Sequence, residues 1–79
     1  MTDKKPQTPL EIFEYKNKHC VFGVTIEETA DTAAKEWCKE NLERHQWSFV
    51  RYTDVYQHMI FFEQEAQAAD FEKFMMARR

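Results

Sequence analysis

Glycine is almost missing from this chain: Gly23 is the only one in 79 residues. That excludes a glycine-rich phosphate loop, which needs several residues without a Cβ so that backbone amides can reach the ligand. The two prolines, Pro6 and Pro9, both lie at the N-terminal end. Cysteine is limited to Cys20 and Cys38. Both fall on apolar faces of expected elements and read as small buried hydrophobes with free thiols in a reducing compartment. No apolar run approaches the ~18 residues of a membrane span. Residues 1–7 hold no apolar segment, so no secretory leader is expected and the expected location is cytoplasmic. There is no excess of positive charge either. Fourteen acids against eleven bases give −3, so there is no general attraction to phosphate or to an anionic membrane.

What the chain does have is aromatic side chains, 15% of its residues. They matter in a single short domain, which buries only about 60% of its unfolded surface. Residues 1–8 are polar and aperiodic and read as a mobile tail; residues 9–79 form the domain.

The aromatics concentrate in a hairpin. Trp47 to Thr53 reads as a strand, Asp54-Val55 as the turn and Tyr56 to Glu63 as the returning strand. A two-residue turn there pairs Arg51 with His58, Phe49 with Ile60 and Trp47 with Phe62 on one face. Their larger apolar volume places Trp47, Phe49, Ile60 and Phe62 inward. The other face carries Ser48, Val50, Tyr52, Gln57, Met59 and Phe61.

Upstream, His19 to Ile26 alternates as a strand. Gly23 lies inside it, where a neighbouring aromatic packed over the backbone is the expected cause. Thr29 is the expected cap of a helix from Ala30 to about Leu42, with Ala34, Trp37 and Cys38 in its apolar stripe. A last helix runs from about Gln64 to Ala77, with Ala68, Phe71, Phe74 and Met75 facing inward.

Leu10 to Tyr15 supports two readings. Thr8-Pro9-Leu10-Glu11 fits a helical capping box, while the alternation of Ile12, Phe13 and Tyr15 favours a strand that turns at Lys16-Asn17-Lys18. The strand supplies a hairpin partner and is the reading adopted. The expected fold is therefore α+β, in the order ββαββα. It is a four-stranded antiparallel sheet with two helices on one face and the Tyr56–Glu63 strand central. At the level of fold this is similar to the ferredoxin-like split β-α-β plait, circularly permuted.

Two helices cover only one sheet face, so the other exposes apolar surface. Val50, Tyr52, Met59 and Phe61 are the expected interface of a homodimer. Arg51, Asp54, Tyr56 and His58 gather near the hairpin end as a candidate polar site, where an imidazole beside a carboxylate could move protons. A small dimeric enzyme or ligand binder using His58 is the alternative. Single-stranded nucleic acid stacked on Tyr52, Met59 and Phe61 is a further one, but only Arg51 is basic in the hairpin, so nucleic acid is not the expected partner. His19, His45 and His58 with Cys20 and Cys38 follow no ligand spacing. No metal and no cofactor is expected.

Glu36-Trp37-Cys38-Lys39, His45-Gln46-Trp47-Ser48-Phe49, Tyr52-Thr53-Asp54-Val55-Tyr56-Gln57-His58 and Phe61-Phe62-Glu63 with Ala69-Asp70-Phe71 together resemble short uncharacterised proteins of marine phages and ocean metagenomes. The resemblance spans residues 10–75. It implies expression in a bacterial cytoplasm and, beside the homodimer, a host or phage protein as partner. It implies no activity and carries over no site residue.

Overall fold

The computed structural model describes residues 5–51 and 57–78. Helix α1 spans Pro9–His19, strand β1 Phe22–Glu27 and helix α2 Asp31–Asn41. Strands β2, Trp47–Arg51, and β3, Gln57–Phe62, lead into helix α3, Glu65–Ala77. Short 3-10 turns at Glu28–Ala30 and Arg44–Gln46 precede α2 and β2.

This corrects the expected fold: the protein is α+β, with a three-stranded antiparallel sheet and three helices, not four strands and two helices. The difference lies in residues 10–15, which are helical. Glu11 N–H donates to Thr8 Oγ1 at 3.2 Å, and Thr8 N–H donates to Glu11 Oε1 at 3.0 Å. Two donors that would otherwise be orphaned at the helix start are thus satisfied, with Pro9 in the first turn. Strand preference depends on a pairing partner, and none competes with that local closure. The helix also runs through Lys16-Asn17-Lys18, the expected turn, because no glycine or proline stops it. It ends at Cys20, whose N–H bonds Lys16 O at 3.0 Å. The first strand accordingly begins at Phe22 rather than His19.

The strand order is β1-β3-β2 with both pairings antiparallel, so β3 is central. Trp47 pairs with Phe62, Phe49 with Ile60 and Arg51 with His58, as the sequence pattern indicates. On β1, Ile26 faces His58 and Val24 faces Ile60.

Helices α2 and α3 cover one face. Ile26, Ala34, Cys38, Ile60, Phe62, Ala68 and Phe71 form the core, with Val24, Trp37, Trp47, Phe49 and Phe74 packed against it. Trp37 meets Phe71 edge-on at a centroid distance of 5.4 Å, and Phe62 at 6.5 Å. Such ring pairs contribute beyond the area they bury. Thr29 does not cap α2: it lies in the preceding 3-10 turn, and no side chain caps the helix. For α3, Gln64 N–H donates to Gln67 Oε1 at 3.0 Å and so closes a capping box.

Helix α1 packs against the Arg44–Gln46 turn, across the end of the sheet where β2 begins. The Tyr15 hydroxyl donates to Glu63, and the Tyr15 ring meets His45 edge-on at 5.1 Å. The Cys20 thiol donates to His45 O at 3.5 Å.

Candidate functional site

The face of the sheet opposite α2 and α3 carries Gly23 and Thr25 of β1, Ser48 and Val50 of β2, and Gln57, Met59 and Phe61 of β3. Its centre is built around the one glycine. A Cβ placed on Gly23 would stand 2.8 Å from both Met59 Cε and Phe61 Cε1. Met59 and Phe61 therefore lean across β1, using the space that a side chain would fill. The expected aromatic over Gly23 is Phe61.

Of the four expected interface residues, Val50, Met59 and Phe61 share this face and are half-buried. Tyr52 lies outside the described residues.

Helix α1 carries exposed apolar side chains of its own. Leu10, Phe13 and Asn17 fall within one narrow stripe of the helix. Lys16 and Asn17, near the C-terminal end of α1, line a cavity of about 200 Å³ with Cys20, Ser48, Val50 and Phe61, while Leu10 lies on the side of the helix opposite the buried Ile12. The stripe's two apolar members are uncovered, Leu10 at 66% and Phe13 at 61% exposure. Val21, placed by strand alternation on the side of Gly23, is 61% exposed. The strand reading of residues 10–15 missed this exposed stripe. The signal was present as the spacing of residues 10, 13 and 17 once the capping box is given precedence.

The expected polar site is assembled differently. Asp54 and Tyr56 lie outside the described residues, and Arg51 is exposed. His58 is buried on the inner face, and its Nδ1 stands 2.7 Å from Asp31 Oδ1. Its ring meets Phe49 edge-on at 5.2 Å. The carboxylate partner is thus Asp31, at the start of α2 and 27 residues away. Sequence spacing carried no sign of it. The pair is enclosed in the sheet–helix layer, where it ties α2 to the central strand.

His45 and Glu43 make a second, longer contact of 4.0 Å. Among the described residues no group of three or more His, Cys, Asp or Glu side chains converges as a metal ion requires. Both cysteines are buried free thiols. Burial raises the Cys20 thiol to about 11, with the Glu63 carboxylate adding to the rise. Burial raises Cys38 to about 12. Neither is poised as a nucleophile, which needs a lowered pKa. No helix among the described residues is long and apolar enough to cross a membrane.

Comparison with family models, with curated proteins and with solved structures gave no match.

Proposed function

We propose that the chain is a protein–protein interaction module that associates with a second copy of itself through the open sheet face and α1. One observation carries this reading: Val50, Met59 and Phe61 share a sheet face that α2 and α3 leave open, and Leu10, Phe13 and Val21 add large exposed apolar side chains to the same chain. A contiguous apolar patch of several hundred Å² is more than a soluble monomer usually exposes. A two-fold axis covers it economically, because an isologous contact needs only one self-complementary surface. A seam of about 1,200–2,000 Å² in total is the size of a stable contact. The alternative, an enzyme built on His58, is less favoured because His58 is buried and already engaged by Asp31.

Phe13→Glu and Val21→Glu test the reading, since both side chains are exposed in the single chain and their replacement leaves the core intact. Light scattering of the parent should give about twice the 9.6 kDa chain mass. The double variant should give the single mass with an unchanged circular dichroism spectrum. A parent that is monomeric at every concentration, or a double variant that still dimerises fully, would overturn it.

A further inference from the structure

A second groove, of about 450 Å³, is lined by Lys16, Lys39, Leu42, Arg44 and Trp47; Lys16 also borders the smaller cavity beside Val50 and Phe61. Its volume is within the roughly 300–1,000 Å³ range of small-ligand sites. Lys39 comes from the last turn of α2, Lys16 from the last turn of α1 and Arg44 from the turn leading into β2. Three separate elements thus bring cations to one cleft of an acidic protein. Among the described residues none of the three takes part in a salt bridge. Glu43, next to Arg44, is engaged by Lys5 at 3.1 Å, and Glu40, next to Lys39, is not among the residues that line the groove.

Lysines in last turns also suit the negative ends of their helices, which is the plain explanation of each taken singly. Magnitude decides against that as the whole account. Each helix end carries roughly half a unit of negative charge, so two ends offset about one of the three positive charges. The groove keeps a net excess of about two. The Lys16 ammonium stands 5.3 Å from the centroid of the Trp47 indole, a cation–π contact that holds it at the rim. Burial depresses the Lys16 pKa; Cys20 acts against the fall, and the Arg44 guanidinium adds to it by a smaller amount. An anion placed between them would relieve that repulsion.

We propose that this groove binds a small phosphorylated ligand with a flat ring, the chemistry of a nucleoside monophosphate. Arg44 presents a planar fork of donors that matches phosphate oxygens, and the two ammonium groups supply point charges to the same dianion. Trp47 and Leu42 form the apolar wall for the ring, the Lys16 ammonium moving from the indole face to the phosphate as the base stacks. Lys39, Leu42, Arg44 and Trp47 do not line the cavity beside Val50 and Phe61, so ligand binding read at Trp47 tests this site and not the self-association surface.

The test is a two-dimensional NMR titration of the ¹⁵N-labelled chain, following the indole N–H of Trp47, assigned through Trp47→Phe. Adenosine monophosphate should shift it saturably with Kd of about 0.1–1 mM. Adenosine, which lacks the phosphate, should bind at least about tenfold more weakly, a difference of about 1.4 kcal/mol. Lys39→Gln with Arg44→Gln, both exposed positions, should weaken adenosine monophosphate by a similar factor while the amide spectrum stays dispersed. Absence of a saturable shift up to about 10 mM, equal shifts from adenosine, or full binding by the double variant would each overturn the proposal. Inorganic phosphate binding as tightly as adenosine monophosphate would overturn the role given to the ring.

Discussion

Gly23 is the residue on which the open face depends. A methyl group there meets Met59 Cε and Phe61 Cε1 at 2.8 Å. The methionine end can swing away, but the phenylalanine ring must tilt. Gly23→Ala should therefore cost about 1–2 kcal/mol by overpacking, read as a lower urea midpoint. It should also weaken self-association, because the ring it displaces is part of the surface. An unchanged midpoint would show that the two side chains do not rest on the glycine. Asp31 carries a different kind of consequence. Asp31→Ala leaves the buried His58 ring without its partner at 2.7 Å, at a cost of about 1–3 kcal/mol. If Asp31→Ala keeps the parent's urea midpoint, the pair is not holding α2 to β3. The glycine was legible in the sequence, since a lone strand glycine asks for something large above it. The Asp31 partner was not, since it depends on how α2 lies over the sheet, and Asp54 was the nearer candidate in sequence.

At the scale of elements, the hairpin register could be read from residues 47–62 because the two-residue turn expected at Asp54-Val55 sets which residues oppose one another; the turn itself lies outside the described residues, and the pairing on either side of it agrees. Phe49 opposite Ile60 and Trp47 opposite Phe62 follow from that turn placement. The N-terminal segment misled for a physical reason. Ile12, Phe13 and Tyr15 favour strands only when a neighbour pairs with them, whereas the Thr8–Glu11 capping box is complete within four residues. Thr8→Ala should remove about 1 kcal/mol and loosen α1 before the rest of the domain. Hydrogen exchange should accordingly rise first at the amides of Glu11 and Ile12. Uniformly faster exchange throughout the chain would show instead that α1 and the sheet open as one unit. Trp37 belongs to this scale as well, since it joins α2 to α3 through Phe71 and Phe74. Trp37→Ala should cost about 3 kcal/mol, and a melting temperature within a few degrees of the parent would contradict its place in the core.

For the molecule as a whole, the two thiols make stability depend on alkaline pH. Each folded-state pKa is raised, to about 11 for Cys20 and about 12 for Cys38, from an ordinary value of 9.0. The folded state therefore keeps protons that the unfolded chain has released. That contribution is fully present below pH 9 and is lost as pH rises toward 11–12. The slope is up to about 1.4 kcal/mol per pH unit for each thiol. Cys38→Ala should flatten the fall in urea midpoint between pH 9 and 11, and an equally steep fall would assign it to other groups. The central claim concerns the open face, and it is tested most directly by isotope-filtered NOEs in a mixture of labelled and unlabelled chains. The account predicts intermolecular contacts from the Val21 and Val50 methyl groups to the Phe13 and Phe61 rings. Intermolecular contacts confined to α2 and α3, or none at concentrations where the chain is soluble, would contradict it.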